Sequence, residues 1–340
     1  MAMKKSEEIS ELLTSVEEKE PAVKRFFKSF IPWKGDTVKE IVRKSLLIVS
    51  VFAMLISGGY LVANFVVEPY IVNQQISEQV DLLENGSGYK TRKEVENKYK
   101  DVEFPDRMQI KYADLYAMNE DFAGWLKIPG ANVDMAVVRS KDNIDYLTKD
   151  FQKKYTRNGT LFVDCRNEML NLDNNTVIYG HNINSGILFG KLKNYRSLDT
   201  FKKSPIIEYN TLFKDYKWKI CSVFITNSKK SDDNGFIFEY YDTELSDSQV
   251  HRFGQEIKER SLYETGVDVQ PGDKLLTLST CIYDFDDARL VIVARMVRSN
   301  ESENVDVEKA YYNSSPRYPQ AWYDEKGTDN PYKNSEQWNP

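Results

Sequence analysis

The chain reads as a mainly β protein with peripheral helices, a closed or nearly closed barrel of about eight strands set behind an N-terminal membrane-spanning helix. Three observations predict this. Eight short apolar runs rich in β-branched and aromatic residues recur between turn signals from Phe104 to Arg298. Only two helical stretches interrupt them, too few to cover both faces of an open sheet, which favours closure. Ahead of them lies a 22-residue stretch without a charge, Leu46 to Val67, the length that spans a bilayer.

The elements follow in order. Residues 1–45 are expected to be cytoplasmic: between Lys24 and Lys44 there are seven Lys or Arg against two acids, whereas Glu68 to Gly88 has acids and no Lys or Arg. Within this segment AVKRFFKSFIPW mixes basic and aromatic residues as an interfacial helix does. Residues 46–67 lack the short n-region and small-residue cleavage site of a secretory signal, so they read as an uncleaved, single-pass anchor that places the remainder outside the cell. Residues 68–103 read as a helical stalk with a break at ENGSG (84–88). The barrel domain, 104–299, holds the runs GWLKI, VDMAVV, GTLFVD, TVIYG, IIEY, WKICSVFIT, KLLTLSTC and RLVIVARMV, with helices at roughly 112–120 and 246–261. The second helix opens with a Ser or Asp cap. Residues 300–340 contain no Leu, Ile, Phe or Met but five Tyr, two Trp and four Pro. They read as a disordered Tyr/Pro/Asn-rich tail that cannot build a core of its own.

Composition narrows the chemistry. With a net charge of −6 the chain lacks the basic footprint of a nucleic-acid binder. Three widely spaced cysteines, Cys165, Cys221 and Cys281, form neither a disulfide framework nor a zinc signature. No EF-hand or other clustered carboxylates appear, so neither metal nor other cofactor is expected. Imidazole chemistry has only His181 and His251 to draw on.

Cys281 closes the run KLLTLSTC, and IYDFDDA separates it from RLVIVARMV. Two strands joined by so short a loop are most simply antiparallel neighbours, which sets Cys281 opposite Arg289. His181 closes TVIYGH in the same way. Side chains at strand ends, beside loops but on a rigid sheet, are placed as catalytic groups commonly are. A thiolate nucleophile, an imidazole that donates a proton to a leaving amine and a guanidinium that holds an oxyanion make a coherent set. From spacing alone a cysteine ending a strand is more often a small core hydrophobe than a nucleophile.

TLSTC (277–281), the downstream Arg289 and TVIYGHN (176–182) together resemble the sortases, specifically class B. GWLKIPGANVDMAVVRSKDNIDYL (124–147), GTLFVDCRN (159–167) and the helix before TLSTC are similar to class B segments too, so the resemblance covers about 105–298. It implies a sortase-type barrel and a membrane-anchored cysteine transpeptidase of Gram-positive type. Such an enzyme cleaves an NPxTN-like sorting signal on surface proteins after Thr, holds a thioacyl intermediate, and passes the protein to an amine of a peptidoglycan precursor or a pilin. By the same resemblance Cys281 matches the nucleophile, His181 the general acid and base, and Arg289 the arginine that holds substrate or oxyanion. Ser279, Thr280 and Asn182 are the implied substrate-binding positions. The long aromatic, acidic tail and the 45-residue cytoplasmic segment depart from the family pattern.

The remaining candidates have plainer readings. Cys221 alternates within an apolar strand and reads as core, Cys165 as half-buried, and His251 as a helix-packing or solvated residue. Arg295 shares a strand face with Arg289 by period-two alternation, and Asp284, Asp286 and Asp287 read as turn residues, with orientation of His181 the alternative. NPYKN (330–334) shares Asn, Pro and the final Asn with an NPxTN signal; a chance match is the simpler reading and a self-docking pseudosubstrate the other. The alternatives to a transpeptidase are a sortase-fold scaffold and a hydrolase that releases the acyl group to water.

Overall fold

The computed structural model describes residues 21–86, 88–230 and 236–338; residues 1–20 of the expected cytoplasmic segment lie outside them. The chain divides into two compact units, one ending at Glu68 and one running from Pro69.

In the first unit a helix Ala22–Phe30 carries the basic and aromatic residues of the interfacial stretch, and Phe26, Phe27 and Phe30 are exposed. The next helix, Val38–Val62, starts at a capping box in which Thr37 and Glu40 exchange hydrogen bonds. A π-helical turn, Ala63–Val67, follows it. In the most apolar window of this helical run the mean hydropathy is 2.3 and no residue is buried. It is long and apolar enough to cross a membrane, and a soluble-core helix would have its apolar side chains covered.

The second unit is built on a closed barrel of β1 (Phe122–Ile128), β2 (Val133–Val138), β3 (Phe162–Val163), β4 (Asn175–Tyr179), β5 (Ile206–Thr211), β6 (Lys217–Asn227), β8 (Leu275–Cys281) and β9 (Ala288–Met296). Around the barrel they run in the order β1-β2-β3-β4-β8-β9-β6-β5. These are the eight runs expected from the sequence. A separate two-stranded ribbon pairs β7 (Tyr263–Glu264) with β10 (Tyr311–Tyr312).

Alternation along the strands explains both cores. Leu290, Ile292 and Ala294 of β9, with Val223 and Ile225 of β6, belong to the main core. Val291, Val293, Cys221 and Phe224 face a second core. There Val250, Phe253 and Ile257, spaced three and four residues apart on the helix Asp247–Arg260, cover them. The strands nearest the site are thus apolar on both faces, which is why they read as continuous hydrophobic runs rather than alternating ones.

The segment read as a helical stalk holds the helices Glu68–Asn85 and Arg92–Lys98, and it packs on the barrel: Val72 joins the main core, and Gln75 donates from Nε2 to Asp150 at 2.8 Å. Val95 is buried against Phe104 and Ala113. The expectation of a disordered tail needs correction for residues 300–338, which are held by specific contacts. Tyr311–Tyr312 extend β7, Arg317 is ion-paired to Glu259, and Tyr318 stacks on Trp322 with centroids 4.1 Å apart. Trp338 is 4% exposed, edge-on to Phe238 and Phe253. Lacking a core of its own, the segment adds large aromatic surfaces to one the barrel already has. NPYKN serves this docking as a turn, with Asn330 held by Gln320 and accepting from the Tyr332 N–H.

Trp338→Ala is therefore expected to destabilise the protein by about 3 kcal/mol, several degrees of Tm. A melting temperature within a degree of the parent would show that the indole contributes no packing.

Candidate active site

Three neighbouring strands meet at one rim. β4 runs parallel to β8, with Tyr179 opposite Ser279, and β8 runs antiparallel to β9, with Cys281 opposite Arg289. Continuing the first register by two residues brings His181 level with Cys281. Cys281 thus lies opposite Arg289 on one side, with the segment that carries His181 bonded to β8 on the other. The strand-end positions were evident in the sequence; the parallel β4–β8 pairing that makes them neighbours was not.

The rim is braced by hydrogen bonds. The Gly180 N–H donates to the Ser279 carbonyl at 3.3 Å, and the Thr280 hydroxyl donates to the Gly180 carbonyl at 2.8 Å. Gly180 is sterically required, because a Cβ there would sit 2.3 Å from Leu161 Cδ2 and 2.7 Å from Phe189 Cδ2. Beneath, Tyr179 donates its hydroxyl to Asp164 at 2.9 Å, and Arg166 grips the same carboxylate with two nitrogens, each at 2.9 Å. Burial favours the neutral acid at Asp164, but the guanidinium and the hydrogen bonds prevail and hold its pKa below the usual carboxylate range.

His181 is oriented by the main chain: its Nε2 lies 2.9 Å from the Leu147 carbonyl. A carbonyl only accepts, so Nε2 carries the hydrogen and Nδ1 of the neutral ring is left for proton traffic. Sequence reasoning supplied no orienting partner. The loop acids are not that partner, since Asp284 is held by Arg196 at 2.8 and 2.7 Å and Asp287 is paired with Lys229.

Arg289 is partly exposed, and its Nη1 donates to the Asp287 and Ala288 carbonyls at 3.4 and 3.2 Å. Among the described residues no carboxylate is paired with it, which leaves the rest of its fork free. The other two arginines of this region are committed elsewhere. Arg295, 2% exposed, is ion-paired with Glu301, Asp268 and Asp273, and Arg298 with Asp268 and Asp273.

The implied substrate-binding positions divide. Ser279 is 3% exposed, with its Oγ 2.9 Å from the hydroxyl of Tyr240. Thr280 is buried and its hydroxyl is taken up by Gly180, so it is a brace between strands rather than an open contact. Asn182 follows His181 and bridges to Leu188; its Oδ1 is buried without a hydrogen-bond partner among the described residues. Tyr240 was missed: it sits in a stretch between strands with no motif around it, and only the fold carries it to Ser279.

Cys165 is half-buried, and Cys221 is buried, its thiol pushed up to about 12 by burial. His251 is exposed on its helix, with Nδ1 3.0 Å from the Val269 carbonyl. Neither cysteine nor this histidine lies at the rim. An open cleft of about 1030 Å³ adjoins Cys281 on the Arg289 side, walled by the 282–287 loop and by Ala321, Asp324 and Glu325 of the C-terminal segment.

Comparison with known proteins agrees with this architecture. The Sortase domain family model matches residues 126–297. Sortase B of Staphylococcus aureus is 32% identical over 196 residues, which cover 57% of this chain and 77% of that protein. Sortase B of Listeria monocytogenes is 33% identical over 187 residues, covering 54% and 73%. Among solved structures, the Staphylococcus aureus sortase B-substrate complex superposes with a TM-score of 0.56 at 26% identity, covering 69% of this chain and 100% of that one. Sortase B from Bacillus anthracis in complex with AAEK1 gives a TM-score of 0.50 at 30% identity, covering 61% and 94%. The chain belongs to the sortase family and, with sortase B proteins as its relatives, is a cysteine transpeptidase.

Proposed function

We propose that Cys281, His181 and Arg289 carry the transpeptidation, and that the substrate is an NPxTN-like sorting signal cleaved after its Thr. The observation that supports this reading is the register of β8 and β9, which pairs Cys281 with Arg289, together with the parallel pairing of β4 beside β8 up to two residues short of His181. The Cys281 thiolate attacks the Thr carbonyl carbon, and Arg289 donates hydrogen bonds to the oxygen as it becomes an oxyanion. The C–N bond breaks as His181 gives a proton to the departing amine, leaving a thioacyl enzyme. An incoming amine then attacks the thioester, His181 takes its proton, and the C–S bond breaks to return the thiolate. The acceptor is an amine of a cell-wall precursor or a pilin, and Asn182, half-buried next to His181, lines the path of the peptide.

The charge asymmetry around 46–67 supports a cytoplasmic N-terminus and an external catalytic unit. Protease added to intact protoplasts would then digest the catalytic unit, and protection of that unit would reverse the orientation. The function is tested by incubating the protein with an NPxTN peptide, with and without a primary amine. A ligated product that appears only with amine is expected. Cleavage at an unchanged rate with no ligated product would make the enzyme a hydrolase, and absence of any thioacyl adduct would remove the proposed signal.

A further inference from the structure

The cleft beside Cys281 has one wall that lies outside the matched family region, which ends at residue 297. Ala321, Asp324 and Glu325 of the helix Gln320–Lys326 line the same cleft as Cys281 and Arg289. This wall is anchored on both sides. Ahead of the helix, Arg317 is ion-paired to Glu259 and Tyr318 packs on the main core. Behind it, Gly327 ends the helix in the left-handed region at φ 63, Asn330 is tied back to Gln320, and Trp338 is buried in the second core.

Among the described residues the cleft is lined by five carboxylates and two cations. Asp284 is neutralised by Arg196 and Asp287 by Lys229. Asp286, Asp324 and Glu325 have no basic partner among the described residues; Asp324 accepts only a neutral hydrogen bond, from Gln320 at 2.8 Å. Two of these three uncompensated charges therefore come from the C-terminal segment. In a concave site charges of one sign act together on whatever enters, over roughly a Debye length of ~8–10 Å.

We propose that this helix is a specificity-determining wall of the active site, with Asp324 and Glu325 admitting neutral and cationic groups to Cys281 and turning away anionic ones. For its natural substrates the inference rests on the function proposed above. It predicts that a sorting signal with an acidic residue beside the scissile Thr is a poor substrate.

The wall can be tested on the thiol itself, without turnover. In the full chain, Cys281 is alkylated by iodoacetamide, which is neutral, or by iodoacetate, which is an anion of similar size. In both, the thiolate sulfur forms a bond to the methylene carbon, iodide leaves, and the thiol proton goes to solvent. Rates are read at Cys281 by peptide mapping. The double variant Asp324→Asn/Glu325→Gln is expected to raise the iodoacetate-to-iodoacetamide rate ratio about fivefold at low salt, and the gain should shrink at high salt. Glu308→Gln, an exposed change on the same segment away from the cleft, should leave the ratio where it is. An unchanged ratio in the double variant, or an equal rise with both reagents, would overturn the charge wall.

A second arm compares two NPxTN peptides with Gln or Glu at the variable position. The Gln-to-Glu preference in kcat/KM should fall about fivefold in the double variant. If the parent cleaves neither peptide, the proposed signal fails while the alkylation ratio still decides the wall.

Discussion

Cys281→Ala is expected to abolish transpeptidation, with a loss on the order of 10⁴-fold or more, while shifting the melting temperature by no more than a degree or two. The expected loss is large because in the proposed mechanism both chemical steps pass through a bond to that sulfur, and removing a covalent nucleophile typically costs at least this much. The stability change is small because Cys281 is half-exposed at the end of β8, so truncation leaves little cavity. The matched comparisons are Cys165→Ala and Cys221→Ala. Burial raises the Cys221 thiol to about 12, so it stays protonated at neutral pH and cannot substitute as a nucleophile. Cys221→Ala should cost stability, since the side chain sits in the second core, but it should leave peptide cleavage intact. Mass spectrometry of the peptide-trapped enzyme checks the assignment, and a covalent adduct on the Cys281→Ala protein would end it.

The barrel was legible because its signal is local. Each of the eight runs is a short stretch rich in β-branched and aromatic residues bounded by turn signals, and the Ser or Asp cap at 246–247 marked the long helix before the ribbon. Cys281 and Arg289 could be paired from sequence because only the seven residues IYDFDDA, 282–288, separate the two runs and leave few alternatives to an antiparallel hairpin. His181 could not be placed by that logic. Among the described residues β4 and β8 are separated by three strands and two α-helices along the chain, and parallel pairing at such distance carries no local signature. The same limit hid Tyr240 behind Ser279 and the Leu147 carbonyl behind His181. The tail was misread for a different reason: the composition argument asks whether a segment can build a core, whereas this one completes a core supplied by β6, β9 and the helix above them.

Arg289→Lys separates two roles that charge alone would merge. If the side chain only supplied positive charge near Cys281, an ammonium would serve almost as well. If it fixes the direction of hydrogen bonds to the oxyanion, the planar fork is required, and Lys should lose about a hundredfold in kcat/KM, comparable to the loss of one oxyanion-hole donor. The geometry favours the second role. Nη1 is steadied by the Asp287 and Ala288 carbonyls, and no carboxylate among the described residues competes for the guanidinium. Arg295, which shares the outer face of β9, is no neutral control. Its guanidinium is buried with Glu301, whose carboxyl burial would raise but which Arg295 and its other partners hold at about 2. A carboxyl lowered in the folded state lends its stability above its unfolded value and loses it as pH falls toward 2. Arg295→Lys should therefore lower the melting temperature above pH 5 and leave kcat unchanged in whatever fraction remains folded. Arg289→Lys should do the reverse, with the rate of Cys281 alkylation by iodoacetamide near that of the parent. A lysine variant with parental kcat/KM would refute the directional role, and an alanine variant with parental kcat/KM would remove Arg289 from the site.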